Sequence, residues 1–116
     1  MIALRGATTV EQDTPEEICE AVLELFDELM IQNHLETEKI ISILFTATKD
    51  VHSAYPGKFL RLHRGITQPA ILHFQEMEVD HSLQKCIRVL LNYEGNIVKE
   101  NVYLRGASEL RPDLNA

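Results

Sequence analysis

The stretch Lys85-Cys86-Ile87-Arg88-Val89-Leu90-Leu91 reads as a buried strand with a guanidinium set in its middle. Ile, Val and Leu at this density suit a pleated, packed surface. Arginine stays charged at any ordinary pH, so an apolar sheet holds it only beside an anion or a strong acceptor. Arg88 therefore needs a partner. Either another part of the fold supplies a carboxylate, or a ligand arrives from outside, and the rest of the chain favours the ligand.

Reading outward from that strand, residues 2–10 form an opening strand. Thr14-Pro15-Glu16-Glu17 starts a helix: Thr14 is a natural N-cap, Pro15 suits the first helical position, and Glu17 completes a capping box. Apolar residues at 18, 22, 25 and 29 make one stripe of an amphipathic helix that runs to about Asn33. Its acids occupy the solvent side. Lys39–Thr46 is rich in β-branched residues and reads as a second strand, with loop from Ala47 to Ala54. Pro56 opens a short helix that Gly65 stops after Arg64. Pro69–Gln75, Lys85–Tyr93 and Asn101–Leu104 read as further strands, with a turn at Glu94-Gly95-Asn96. The tail from Glu109 to Ala116 has no periodicity and is expected to be mobile. One long helix covers only one face of such a sheet. The apolar side chains of the other face must still avoid water, so self-association and a site between subunits are expected.

At 116 residues the chain is expected to form one domain, residues 1–116. Its composition, 45% hydrophobic and 25% charged, is that of a soluble globular protein. No window approaches the roughly 20 apolar residues of a membrane span, and the N-terminus has no signal-peptide pattern, so the cytoplasm is the expected location. Cys19 and Cys86 show no metal-type spacing and read as free buried thiols. The net charge of −7 argues against nucleic acid, whose binding needs a basic face. An anionic small molecule remains open if the few cations share one cleft.

Those cations are where a purely structural account falls short. Arg5, Arg61, Arg88 and Arg111 lie in places that need no arginine, whereas Arg64 and Arg105 read as ordinary surface residues. Each of the four has a bland reading as a satisfied ion pair; together, in an acidic chain, they point to an anionic ligand. Glu76 is the lone acid in Phe74-Gln-Glu-Met77, and neutralising Arg88 is its structural alternative. Tyr103 and His73 have bland readings as an edge aromatic and a partly buried histidine. There is no HExxH, P-loop, GxGxxG or GxSxG pattern, and no metal or cofactor is called for. Cations, one carboxylate and one phenol suit the binding and polarising of a small organic dianion.

Arg5-Gly-Ala-Thr-Thr-Val-Glu11, Gln75-Glu-Met77, Lys85-Cys-Ile-Arg-Val89, Val102-Tyr-Leu104 and Leu110-Arg-Pro-Asp-Leu114 occur in that order. This series closely resembles the AroH-type chorismate mutases, over about residues 2–114. The resemblance implies an α+β fold, a mixed five-stranded sheet with one long and one short helix, assembled as a pseudo-α/β-barrel homotrimer. It implies the cofactor-free Claisen rearrangement of chorismate to prephenate, on the route to phenylalanine and tyrosine. It also implies residue roles. Arg88 would donate to the breaking ether oxygen and to a carboxylate. Arg5 and Tyr103 would hold the enolpyruvyl carboxylate, and Glu76 would accept from the ring hydroxyl. Tyr55, Lys58 and Arg61 would come from a neighbouring subunit, while Leu110 and Arg111 would close over the site.

Two departures from the family pattern stand side by side. His73 replaces a frequent Cys next to the substrate hydroxyl, where it would donate to that hydroxyl or to Glu76 and titrate near neutrality. Leu72 replaces a small polar residue. The connection between the last two strands is also short. Two competing functions use the same architecture: a non-catalytic trimer that senses an aromatic-pathway carboxylate, and a small trimeric imine deaminase. The second lacks this series of motifs.

Overall fold

A computed structural model describes residues 1–97 and 99–109. Five strands make one mixed sheet. In chain order the elements are β1 (Ile2–Thr9), α1 (Pro15–Gln32), a 3-10 turn (Thr37–Lys39), β2 (Ile40–Ala47), α2 (Pro56–Arg64), β3 (Ala70–Gln75), β4 (Cys86–Tyr93), β5 (Val102–Tyr103) and a closing 3-10 turn (Arg105–Glu109). The α+β class expected from the sequence is the one observed.

The ends of α1 follow the local chemistry. Thr14 is extended and its Oγ1 accepts from the Glu17 amide at 3.2 Å, with Pro15 in the first turn. Glu17 does not reach back to Thr14 as a capping box would. Its two carboxylate oxygens accept instead from the amides of Glu11 (2.6 Å) and Gln12 (3.2 Å), tying the preceding loop to the helix. At the other end, buried Asn33 donates to the carbonyls of Leu29 and Glu100 and accepts from the Glu100 amide at 2.6 Å. That side chain leads the last strand, β5, into place. α2 ends at Gly65, whose φ of 64° lies in the left-handed region that glycine adopts without strain.

The strand order is β3-β2-β4-β1-β5, with β4 antiparallel to both β1 and β2 and parallel pairs at each edge. Alternation along each strand then sorts the side chains. Leu4, Ile43, Ile87 and Leu91 are fully buried with Ile18, Leu25 and Leu29 of α1 and Leu60 of α2. Both helices pack on this side. Among the described residues no helix covers the other face. Strand β4 is thus not buried on both faces: the short apolar run around Arg88 alternates, and Arg88 projects from the open face with its side chain 44% exposed. The sequence reading of Arg88 as a core guanidinium is corrected accordingly.

Candidate active site

Strand register arranges the open face in rows. One row crosses the sheet from Tyr103 through Ala7 and Arg88 to Thr46 and Phe74. The next, two residues along, runs from Arg5 through Leu90 and Leu44 to Leu72. Neighbouring strands lie roughly 4.8 Å apart, so each row is a short ribbon of side chains over one surface. The open face thus mixes Arg5, Arg88, Thr46 and Tyr103 with the apolar side chains of Leu44, Leu90, Leu72 and Phe74.

Glu76 follows β3 directly and turns its carboxylate onto this face. Its Oε2 accepts from Thr46 Oγ1 at 2.7 Å and lies 3.1 Å from Arg88 Nε. Arg88 therefore has an internal counter-charge, and an outside ligand is not required to explain it. That pairing is the structural alternative raised for Glu76, yet neither group is closed off from solvent. Arg5 is two residues from Ala7 on the same face. Its backbone amide donates to Asn101 Oδ1 at 2.9 Å, and its guanidinium has no carboxylate within ion-pair range among the described residues. Tyr103 packs beside Ala7, Cys86 and Ala107. The start of β4 is set by Asp50, whose carboxylate accepts from the Lys85 amide and from Thr48 Oγ1. Burial raises the pKa of the Cys86 thiol against the opposing pull of the Arg88 guanidinium, so the thiol remains neutral beside it.

The remaining expected site residues stand elsewhere. Tyr55, Lys58 and His73 line a cleft of about 620 Å³ between α2 and the β2–β3 edge, on the helix side of the sheet. Arg61 lies on α2, and neither it nor Lys58 has an acid partner among the described residues. By contrast Arg64 pairs with Asp27, and Arg105 with Glu20 and Glu24 of α1. The sequence had separated these two groups of arginines. Leu72 is on the open face, 55% exposed, next to Phe74 at 52%. Leu110 and Arg111 lie outside the described residues.

His73 departs most from expectation. It alternates with Phe74 and Glu76, so it faces away from the Glu76 carboxylate and does not donate to it within the chain. Its Nε2 instead accepts from the Gly57 amide at 2.9 Å. Burial, and to a lesser extent the Arg61 charge, hold its pKa below the ordinary imidazole value. Sequence reading missed Thr46 and Asp50, two residues that position Glu76 and β4. Thr46 is a strand residue like any other until the register places it beside Glu76. Thr48-Lys49-Asp50 carries a turn signature, but not the strand it serves.

Comparison with known proteins gives this arrangement a lineage. The family model for chorismate mutase type I matches residues 1–114. The chain belongs to the type I chorismate mutases. It is 37% identical over 115 residues to chorismate mutase AroH of Bacillus subtilis (strain 168), covering 97% of this chain and 91% of that protein. It is 38% identical over 117 residues to chorismate mutase AroH of Thermus thermophilus, covering 97% and 95%. The structure of a chorismate mutase from Clostridium thermocellum superposes with a TM-score of 0.89 at 40% identity, covering 93% of this chain and 98% of that one. As a chorismate mutase the protein is an isomerase, and its fold is that of the family. Among the described residues no helix is long and apolar enough to cross a membrane.

Proposed function

We propose that this chorismate mutase converts chorismate to prephenate in clefts that neighbouring copies build together, as a homotrimer, in the aromatic amino acid pathway of the cytoplasm. Residues 1–116 act as one domain in this reading. The observation that carries it is the division of the cationic side chains. Arg5, Arg88 and Tyr103 lie on the open face, whereas Tyr55 and Lys58 line a cleft on the helix side. A small diacid cannot touch both faces of one sheet, because side chains extend about 5 Å to either side of its plane. A second copy seated on the open face supplies the missing half. Leu72, Phe74, Leu44 and Leu90 provide the apolar surface for that contact.

The reaction is unimolecular, so the protein assists in two ways. It holds the compact conformer that brings the two bond-forming carbons together. It also aims fixed donors at the ether oxygen, which gains electron density as its bond to the ring breaks. Arg88 is the donor to that oxygen and to one carboxylate. Glu76, steadied by Thr46, orients the Arg88 guanidinium and accepts from the ring hydroxyl. Arg5 and Tyr103 hold the enolpyruvyl carboxylate. Lys58, Arg61 and Tyr55 of the neighbouring copy complete the charge balance, with Leu72, Leu110 and Arg111 closing the cleft. No cofactor takes part. Enzymatic accelerations begin at about 10⁶-fold, roughly 8 kcal/mol, and one aimed donor supplies about 3–4 kcal/mol of such a total.

The test is direct. Purified protein mixed with chorismate should consume its diene absorbance and yield prephenate, and sedimentation should give three times the mass of one chain. A folded trimer that leaves chorismate unchanged would favour the carboxylate-sensing module instead.

A further inference from the structure

We propose that His73 is a positioning residue: its ring, bonded to the Gly57 amide, fixes the first turn of α2 and so presents Lys58 and Arg61 to the substrate. This rests on the functional reading above, in which α2 supplies the neighbouring half of the site.

Three contacts place the ring. Nε2 accepts from the Gly57 amide at 2.9 Å. The imidazole stacks on Phe45, with centroids 5.6 Å apart and planes 11° apart, and meets the Tyr55 ring at 5.0 Å. Gly57 allows this approach. A Cβ there would stand 2.6 Å from Ile71 Cγ2 and 2.9 Å from His73 Nε2, closer than real contacts permit. Gly57 is the second residue of α2, and its amide is among those that a helix leaves without an internal acceptor. Tyr55, at the N-cap, makes no side-chain cap of its own, so His73 from β3 provides one. Lys58 follows directly and Arg61 lies one turn further on.

The charged and titratable groups around the ring are Arg61 and Lys58 on α2, Tyr55 before it, and Lys49 and His52 across the cleft. From β2 only the Phe45 ring meets it. Of these Arg61 acts on the ring by its charge, while Lys49 is paired with Glu78 and His52 with Asp13; the bond from the Gly57 amide requires the neutral imidazole with a lone pair on Nε2.

Direct substrate binding and positioning predict opposite pH responses. An imidazolium touching a dianionic substrate would tighten binding as the pH falls. An imidazolium can no longer accept from Gly57, so a positioning role weakens binding instead. The experiment measures KM and kcat on chorismate from about pH 5 to 8 for wild type, His73→Leu and His73→Gln, the range in which histidine titrates. Loss of one hydrogen bond should raise wild-type KM roughly three- to tenfold on acidification, with kcat within about twofold. His73→Leu should show the raised KM at every pH. His73→Gln, whose Oε1 reaches the place of Nε2, should stay low and flat. A wild-type KM that falls on acidification, or a His73→Leu value equal to wild type at about pH 8, overturns the proposal. If His73→Leu does not fold, nitrogen NMR of the wild-type ring decides. The Nδ1–H tautomer supports the bond to Gly57, and the Nε2–H tautomer overturns it. A wild type inactive on chorismate would end the functional reading, and the tautomer would then judge the His73 bond alone.

Discussion

The two faces of this sheet come from the same strands, yet they are finished differently. On one, Leu4, Ile43, Ile87 and Leu91 meet α1 and α2 and are fully buried. On the other, Leu72 and Phe74 remain more than half exposed, and Arg5, Arg88 and Glu76 stand among them. The helix face holds the fold together. In the proposed reading the open face supplies Arg5, Arg88, Glu76 and Tyr103 to the chemistry, and its apolar area is the contact surface for a further copy. Changes in the core under the helices should therefore act on stability, and changes on the open face on activity or assembly.

Arg88→Ala tests the open face most severely. Turnover should fall by about 10²–10³-fold, roughly 3–4 kcal/mol of activation free energy, with the melting temperature little changed. A variant that keeps more than about a tenth of wild-type turnover contradicts the ether-oxygen role, since removal of one aimed donor costs far more. Leu91→Ala, on the helix face, should do the reverse. It should cost roughly 3 kcal/mol of unfolding free energy in urea titration, through a cavity between Leu4 and Ile43. Activity at low temperature, in the fraction still folded, should survive.

Phe74→Asp sharpens the comparison by attacking association alone. A carboxylate buried between copies should weaken assembly by at least about tenfold, near 1.4 kcal/mol, seen as a concentration-dependent mass in sedimentation. Circular dichroism of the separated chains should stay native, because this ring is already half exposed in the single chain. Chains that lose their fold on dissociation would show that the faces are not independent. The smallest effect belongs to the outer surface. Asp27→Asn removes the exposed ion pair to Arg64 and should change stability by less than about 1 kcal/mol, with turnover unaltered.

The elements themselves were legible in the sequence, because their signals are local. Thr14 and Pro15 start α1, Pro56 and Gly65 bound α2, and β-branched runs mark β2 and β4 within a residue. The contrast between Arg64 and Arg105 on one side and Arg5, Arg61 and Arg88 on the other was legible too. The structure pairs the first two with acids of α1 far along the chain, leaves Arg5 and Arg61 without an acid partner among the described residues, and sets Arg88 beside Glu76. Thr46 and the true use of Glu17 and His73 were not. Each depends on a partner distant along the chain or on a direction that spacing does not give.

By itself the sequence determined which residues share a strand, which share a helix stripe, and that several arginines stand where the fold alone does not require them. Only the tertiary structure decided that Arg88 looks outward, that Glu76 joins it on the open face and that His73 lies under α2. The reason is physical: a period of two tells which side chains travel together, but the packing of α1 and α2 chooses the side that is closed to water.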